Sequence, residues 1–300
     1  MRHFLEVDDL SKDELLTVLD LSEIENPDRV LTNQSVGLVF EKASLRTRNS
    51  CEAAVVQLGG HPVSIAAGEV GIDKRESAED VARTLACYHS FIGARVFDHS
   101  VLVRMARAVD DLGAGAQIIN LLSDSSHPCQ AIADLLTIRS HVGFSPDVKV
   151  AYVGDSNNVT HSLAIGALMA GLKVSVASPN GYWFPQDERD ELAGFGEISF
   201  VEDPYQAVFG ADVVYTDVWT SMGKEEERNQ RLRDFQGYCV DSSLMAKASS
   251  QAIVMHCLPA HEGEEISREV LESPASVVWE QAKNRMKAMR GLFQFMSGVG

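Results

Sequence analysis

Ser44-Leu45-Arg46-Thr47-Arg48 is the first stretch whose residue types could do chemistry. It follows the apolar run Val36–Phe40 and precedes a helical pattern from about Cys51 to Leu58. The first N–H groups of a helix have no intrahelical partner, and the dipole there favours an anion. Hydroxyls and a planar guanidinium add donors shaped for phosphate oxygens. Arg46 and Arg48 could simply be solvated surface charges. Two cations are electrostatically misplaced at that end of a helix, however, and call for a bound anion.

Other candidates share one property: each follows an apolar run. Arg95 closes Phe91–Phe97, where it is either a surface charge or a second guanidinium for the same anion. His127-Pro128-Cys129-Gln130 puts an imidazole and a carboxamide at a helix start, with Pro128 suited to the first helical position. His127 either caps that helix or donates to a carbonyl or phosphoryl oxygen, kept neutral by the helix terminus, while Gln130 binds an amide. Gly154-Asp155-Ser156-Asn157-Asn158 is not G-x-G-x-x-G, so a dinucleotide is poorly supported. Asp155 and Asn158 could instead read the polar ends of a small molecule. Asp217, heading Asp217-Val218-Trp219-Thr220-Ser221-Met222-Gly223, suits an ammonium group or caps a turn. In His256-Cys257-Leu258-Pro259 the Cys and His are adjacent on a strand, so they face opposite ways and make no ready nucleophile–base pair. A half-buried thiol touching substrate is the better reading of Cys257.

The elements that must position these residues alternate between strand and helix. Ser11 with Glu14 has capping-box spacing ahead of a helix over 12–23. Strands are predicted at 36–40, 62–66, 91–97, 117–121, 149–153, 173–177, 198–201, 213–216 and 253–256, with helices between them and a last helix over 278–295. A long charged loop is predicted over 217–235. Gly143–Asp147, with Pro146, reads as a linker. The fold class is therefore α/β: two domains, each a parallel sheet flanked by helices. The predicted division is 1–140 plus 279–300 against 141–278. Ligands of such sheets bind beyond the carboxyl ends of the strands, so the polar clusters are expected to converge on an interdomain cleft.

Composition narrows the function classes. Forty-three acidic against 26 basic residues give a formal net charge of −17, which argues against nucleic acid and against a membrane surface. Positive charge for an anionic substrate must therefore be gathered locally. No uninterrupted apolar stretch is long enough for a membrane helix, and the N-terminal segment shows no signal-peptide core. Five widely spaced Cys without C-x-x-C fit a reducing, cytoplasmic setting rather than a disulfide framework or zinc site.

Taken together, these stretches resemble the aspartate/ornithine carbamoyltransferase family over essentially the whole chain. Ser44–Arg48 is similar to its S-x-R-T-R motif, His127–Gln130 to H-P-x-Q, Asp217–Gly223 to D-x-x-x-S-M-G and His256–Pro259 to H-C-L-P. The last two are ornithine-type signatures. The resemblance implies transfer of the carbamoyl group of carbamoyl phosphate to L-ornithine, giving L-citrulline and phosphate in arginine metabolism. It also implies a homotrimer with no metal and no cofactor. It assigns Ser44, Leu45, Arg46 and Thr47 to the phosphate and Arg95 to the bridge toward the carbamoyl oxygen. His127, Gln130, Arg285, Cys257 and the Leu258 carbonyl would lie at the carbamoyl end. Asn158, Asp217, Ser221 and Met222 would hold ornithine, with Cys257 and Asp217 near its δ-amine; Arg95, His127, Cys257 and Asp217 would be the catalytic set. Another amine acceptor, such as putrescine, lysine or an N-acylornithine, is the alternative. The family often carries Q-L-G in a loop that reaches a neighbouring subunit's site. Here Gly68–Ser77 lacks that glutamine, and whether Lys74 or another residue replaces it stays open.

Overall fold

Short apolar runs become buried parallel strands, and the stretches between them become helices, in a computed structural model that describes residues 2–220 and 225–299. The chain divides into two compact units, Met1–Ala133 with Lys283–Gly300, and Asp134–Ala282.

The first unit contains α1 (Lys12–Glu23), β1 (Ser35–Phe40), α2 (Leu45–Gln57), β2 (His61–Ala66), α3 (Ala67–Val70), α4 (Ala78–Ala86), β3 (Phe91–Arg95), α5 (His99–Leu112), β4 (Gln117–Leu122) and the start of α6 (Pro128–His141). The capping box of α1 is present in both halves, Ser11 accepting from Glu14 N–H and Glu14 from Ser11 N–H. The sheet order is β2-β1-β3-β4, with every neighbouring pair parallel. The chain leaves β1 toward β2 and then returns to the other side of β1 as β3. The order therefore reverses between β1 and β3, whose carboxyl ends precede Ser44 and carry Arg95. Apolar side chains of β1 and β3 (Val39, Ile92) pack with Val81 of α4 and Leu102 and Met105 of α5.

The second unit contains β5 (Lys149–Val153), α7 (Asn158–Met169), β6 (Lys173–Ala177), α8 (Gln186–Phe195), β7 (Ile198–Val201), α9 (Pro204–Val208), β8 (Val213–Thr216), α10 (Arg228–Asp234), α11 (Ser242–Met245), β9 (Ile253–His256) and α12 (Arg268–Leu271). Its sheet order is β7-β6-β5-β8-β9, again parallel throughout. Here the reversal falls between β5 and β8, just before Asp155–Asn158 and Asp217. The last helix, α13 (Val278–Met296), begins in this unit and ends in the first. In the first unit it crosses α1 at Gly291, where a Cβ would stand 2.0 Å from Ser22 Oγ and 2.4 Å from the Val18 carbonyl oxygen. Only a glycine permits that approach.

Two sequence expectations need correction. α2 begins at Leu45, not near Cys51, so Leu45–Arg48 are its first turn rather than a turn before it. The 217–235 segment is not loop throughout. Residues 228–234 form α10, because buried Arg231 anchors them in the unit's core. No described helix is long and apolar enough to cross a membrane.

Candidate active site

In the first unit Ser44 caps α2, its hydroxyl accepting from Thr47 N–H at 3.3 Å. The Leu45 side chain is exposed, which leaves its backbone N–H, at the first helical position, as its means of meeting an anion. Arg46 is half-buried. Arg48 is exposed and pairs with Glu52 one turn on at 2.8 Å, so of the two arginines it takes the surface role. Thr47 is buried and collects two guanidiniums: Arg285 Nη2 donates to Thr47 Oγ1 at 2.9 Å and Arg95 Nη1 at 3.4 Å.

Arg285 also reaches the start of α6. Its Nη1 donates to Gln130 Oε1 and lies 3.3 Å from His127 Nε2. That nitrogen must accept, which puts the ring proton on Nδ1. The His127 backbone carbonyl meanwhile accepts the first bonds of α6, from Gln130 and Ala131 N–H. The His127 backbone thus starts the helix while its side chain stays with Arg285. Burial, then the nearby Arg285 and Arg95 charges, hold its pKa well below the usual histidine value. The imidazole is neutral at physiological pH, as the sequence led one to expect, but burial rather than the helix terminus is the main cause. Ser44, Thr47, Arg95, His127, Gln130 and Arg285 form a connected polar group around two guanidiniums, suited to a small phosphate-bearing ligand with a carbonyl or amide end.

In the second unit Cys257 Sγ donates to Asp217 Oδ1 at 3.0 Å, and Asn157 Nδ2 donates to Asp217 Oδ2 at 3.4 Å. Asn157 also caps α7, accepting from Val159 and Thr160 N–H. Asn158 is the first residue of α7, and its Oδ1 accepts from Val159 N–H at 3.1 Å. A buried carboxylate between a thiol and a carboxamide suits an ammonium or amine. His256 does not face away from Cys257 as strand alternation predicts: one of its ring nitrogens, Cys257 Sγ and an Asp217 carboxylate oxygen lie within 4.8 Å of one another, because β9 ends at His256. His256 Nε2 lies 3.0 Å from Glu265, both side chains fully buried, and its Nδ1 accepts from Leu258 N–H at 2.8 Å. That bond holds Leu258 at φ +60, a left-handed conformation uncommon for leucine and typical of functional turns. Ser221 and Met222 lie outside the described residues.

Asp155, a candidate for reading a small molecule's polar end, is engaged within the protein. It forms a buried ion pair with Arg231 at 2.7 Å, and Arg231 also donates to the Trp219 carbonyl oxygen at 2.8 Å. Arg231 thereby ties the segment after β5 to the segment after β8. The sequence offered no sign of this beyond an apolar–basic pattern in a charged stretch. Asn157 was equally hidden beside Asn158, although its capping spacing with Thr160 was there to read.

The carbamoyl-P binding domain model of the aspartate/ornithine carbamoyltransferases matches residues 2–140, and their Asp/Orn binding domain model matches 146–296. The chain belongs to the aspartate/ornithine carbamoyltransferase family. Within that family it is 46% identical to the ornithine carbamoyltransferase of Acidothermus cellulolyticus, covering 99% of this chain and 96% of the relative. It is 44% identical to that of Haloquadratum walsbyi, covering 97% and 96%. Among solved structures of the family it resembles the ornithine carbamoyltransferase of Pyrococcus furiosus, with TM-score 0.92 and 39% identity over 100% of this chain and 98% of that one. The anabolic enzyme of Campylobacter jejuni gives TM-score 0.93 and 33% identity, with 99% of each chain covered. The family's two-domain α/β fold is the fold described above.

Proposed function

We infer that the protein transfers the carbamoyl group of carbamoyl phosphate to the δ-amine of L-ornithine, giving L-citrulline and phosphate. The observation that carries the reading from this chain's own residues is the complementarity of the two switch points. One gathers guanidiniums, hydroxyls and a neutral imidazole around Thr47; the other gathers a carboxylate and a thiol around Asp217. The first suits a phosphorylated carbonyl compound and the second an amine.

In this reading the neutral amine attacks the carbamoyl carbon. A C–N bond forms, the C–O bond to phosphate breaks, and the amine proton leaves with the departing phosphate or to solvent. The sum is redox-neutral, with no cofactor in the balance. Arg46, Arg95 and Arg285, with the first N–H groups of α2, stabilise charge on the leaving phosphate and the carbonyl oxygen. Neutral His127 and Gln130 hold the carbamoyl end. Asp217 and Cys257 orient the amine, with Asn158, Ser221 and Met222 completing the ornithine contacts. Cys257 keeps its proton as a donor to Asp217 and acts by contact rather than as a nucleophile.

A homotrimer, a place in arginine metabolism and a cytoplasmic location complete the proposal. They are supported by the family membership and by the wide spacing of the cysteines. A panel of amines assayed with carbamoyl phosphate tests the function. Citrulline formation should dominate, and preferential carbamoylation of putrescine, lysine or N-acylornithine would overturn the acceptor assignment. Because an alkyl amine has a pKa of about 10.4, turnover should rise with pH above neutrality.

A further inference from the structure

β9 is an edge strand, and its outward N–H groups need partners that no further strand among the described residues supplies. Val254 N–H finds one in the backbone, donating to the Ala275 carbonyl oxygen at 2.8 Å. Two residues on, the same edge presents His256 N–H, but by then the neighbouring chain has turned into α13. A side chain from that helix fills the place: Gln281 Oε1 accepts from His256 N–H at 2.9 Å. Gln281 therefore adds one rung to the ladder at the point where β9 gives way to Cys257 and Leu258.

The orientation of the Gln281 amide is dictated from below. Its Nε2 donates to Asp134 Oδ1 at 2.7 Å and to Tyr215 Oη at 3.1 Å, and Tyr215 Oη donates to Asp134 Oδ2 at 3.1 Å. A carboxylate only accepts, so the NH2 end must face Asp134 and the oxygen must face His256. All three side chains are buried, within the second unit, and the Tyr215 ring is stacked on Tyr152. In such a site a half-made network is costly, which favours one arrangement of the group.

We propose that Gln281, oriented by Asp134 and Tyr215, is a positioning residue for the acceptor side of the reaction, fixing the end of β9 so that Cys257 is presented correctly to the amine. The proposal rests on the carbamoyl-transfer reading. It extends that reading to three residues that touch neither substrate and act through His256 N–H.

The test uses Gln281→Met, which keeps volume and removes the oxygen that accepts from His256 N–H. Steady-state kinetics for ornithine are measured alongside equilibrium binding of carbamoyl phosphate. Gln281→Met should lose on the order of tenfold in kcat/KM for ornithine while carbamoyl-phosphate affinity stays within about threefold. Unchanged ornithine kinetics in Gln281→Met, or a loss of carbamoyl-phosphate affinity as large as the loss for ornithine, would overturn the proposal, the second outcome marking a packing effect alone. Should Gln281→Met fail to fold, Tyr215→Phe removes a single hydroxyl and leaves the ring stack. It should still cost a few-fold in kcat/KM for ornithine, and wild-type kinetics there would overturn the proposal. Citrulline formation by the wild type is read in the same assay, so failure of the functional reading shows separately from failure of the network.

Discussion

Arg285 Nη2 donates to Thr47 Oγ1 over 2.9 Å, joining the last helix of the chain to the first turn of α2. The same guanidinium reaches Gln130, so one side chain fixes the spacing between the expected phosphate and carbamoyl ends.

Removing that group should therefore damage both ends at once. Arg285→Ala is expected to cost about 3 kcal/mol or more in kcat/KM for carbamoyl phosphate, on the scale of a lost electrostatic donor. Arg285→Lys should recover little of it, because a point charge cannot span Thr47 and Gln130 together. Arg46→Ala should cost a similar about 3 kcal/mol, whereas Arg48→Ala, which removes only a surface pair with Glu52, should leave kinetics unchanged. Wild-type kinetics for Arg46→Ala would remove α2 from the phosphate site.

Cys257→Ser should weaken ornithine use and leave turnover measurable, since a hydroxyl can still donate to Asp217. Mass spectrometry of the wild type under turnover should show no carbamoylated or otherwise modified Cys257. Trapping a covalent adduct there, together with a dead Ser variant, would assign it a nucleophilic role instead.

The buried histidine makes folding sensitive to mild acid. His127, held neutral chiefly by burial, and His89 and His99, also lowered by burial, take up protons more readily once unfolded. Below the unfolded value of about 6.5 the unfolded state binds more protons, so stability falls as pH drops, by about 1.4 kcal/mol per pH unit for His127. Glu14 beside Arg2 and Glu79 beside Arg104, both lowered to about 2, lose their contributions only below the ordinary carboxylate range. Urea midpoints should therefore decline already between pH 7 and 5, and His127→Asn should flatten that decline. Stability constant down to the carboxylate range would show that these histidines are not the cause.

Gly291→Ala places a methyl carbon inside contact distance of Ser22 and Val18. Two helices must move apart, and a loss of about 3 kcal/mol is expected, measured by denaturant unfolding. Gly113→Ala serves as a contrast: a Cβ there meets no atom within 4 Å, and only its left-handed backbone, at φ +65, opposes the change.

Strands were readable in the sequence because a strand buried on both faces is a short apolar run bounded by turn residues, as in Lys149–Val153 and Val213–Thr216. Their carboxyl ends located Arg95, Asp217 and Cys257. Helix starts were harder. Leu45–Arg48 is polar, and nothing local separates a first helical turn from a loop. α10 lay hidden because the residue that buries it, Arg231, is charged, and its burial becomes tolerable through Asp155, far off in sequence, together with Glu227 and the Trp219 carbonyl oxygen. Gln281 was invisible for a related reason: its role is to complete a strand to which it does not belong.

The segments of the first unit lie at opposite ends of the chain, Met1–Ala133 and Lys283–Gly300. During synthesis, Ser44, Arg95, His127 and Gln130 all leave the ribosome long before Arg285. A nascent chain thus carries most of a phosphate site while lacking the guanidinium that unites it. On the proposed assignment, carbamoyl phosphate should steady the protein fully only once translation is nearly finished, and a chain shortened before α13 should lose much of that help.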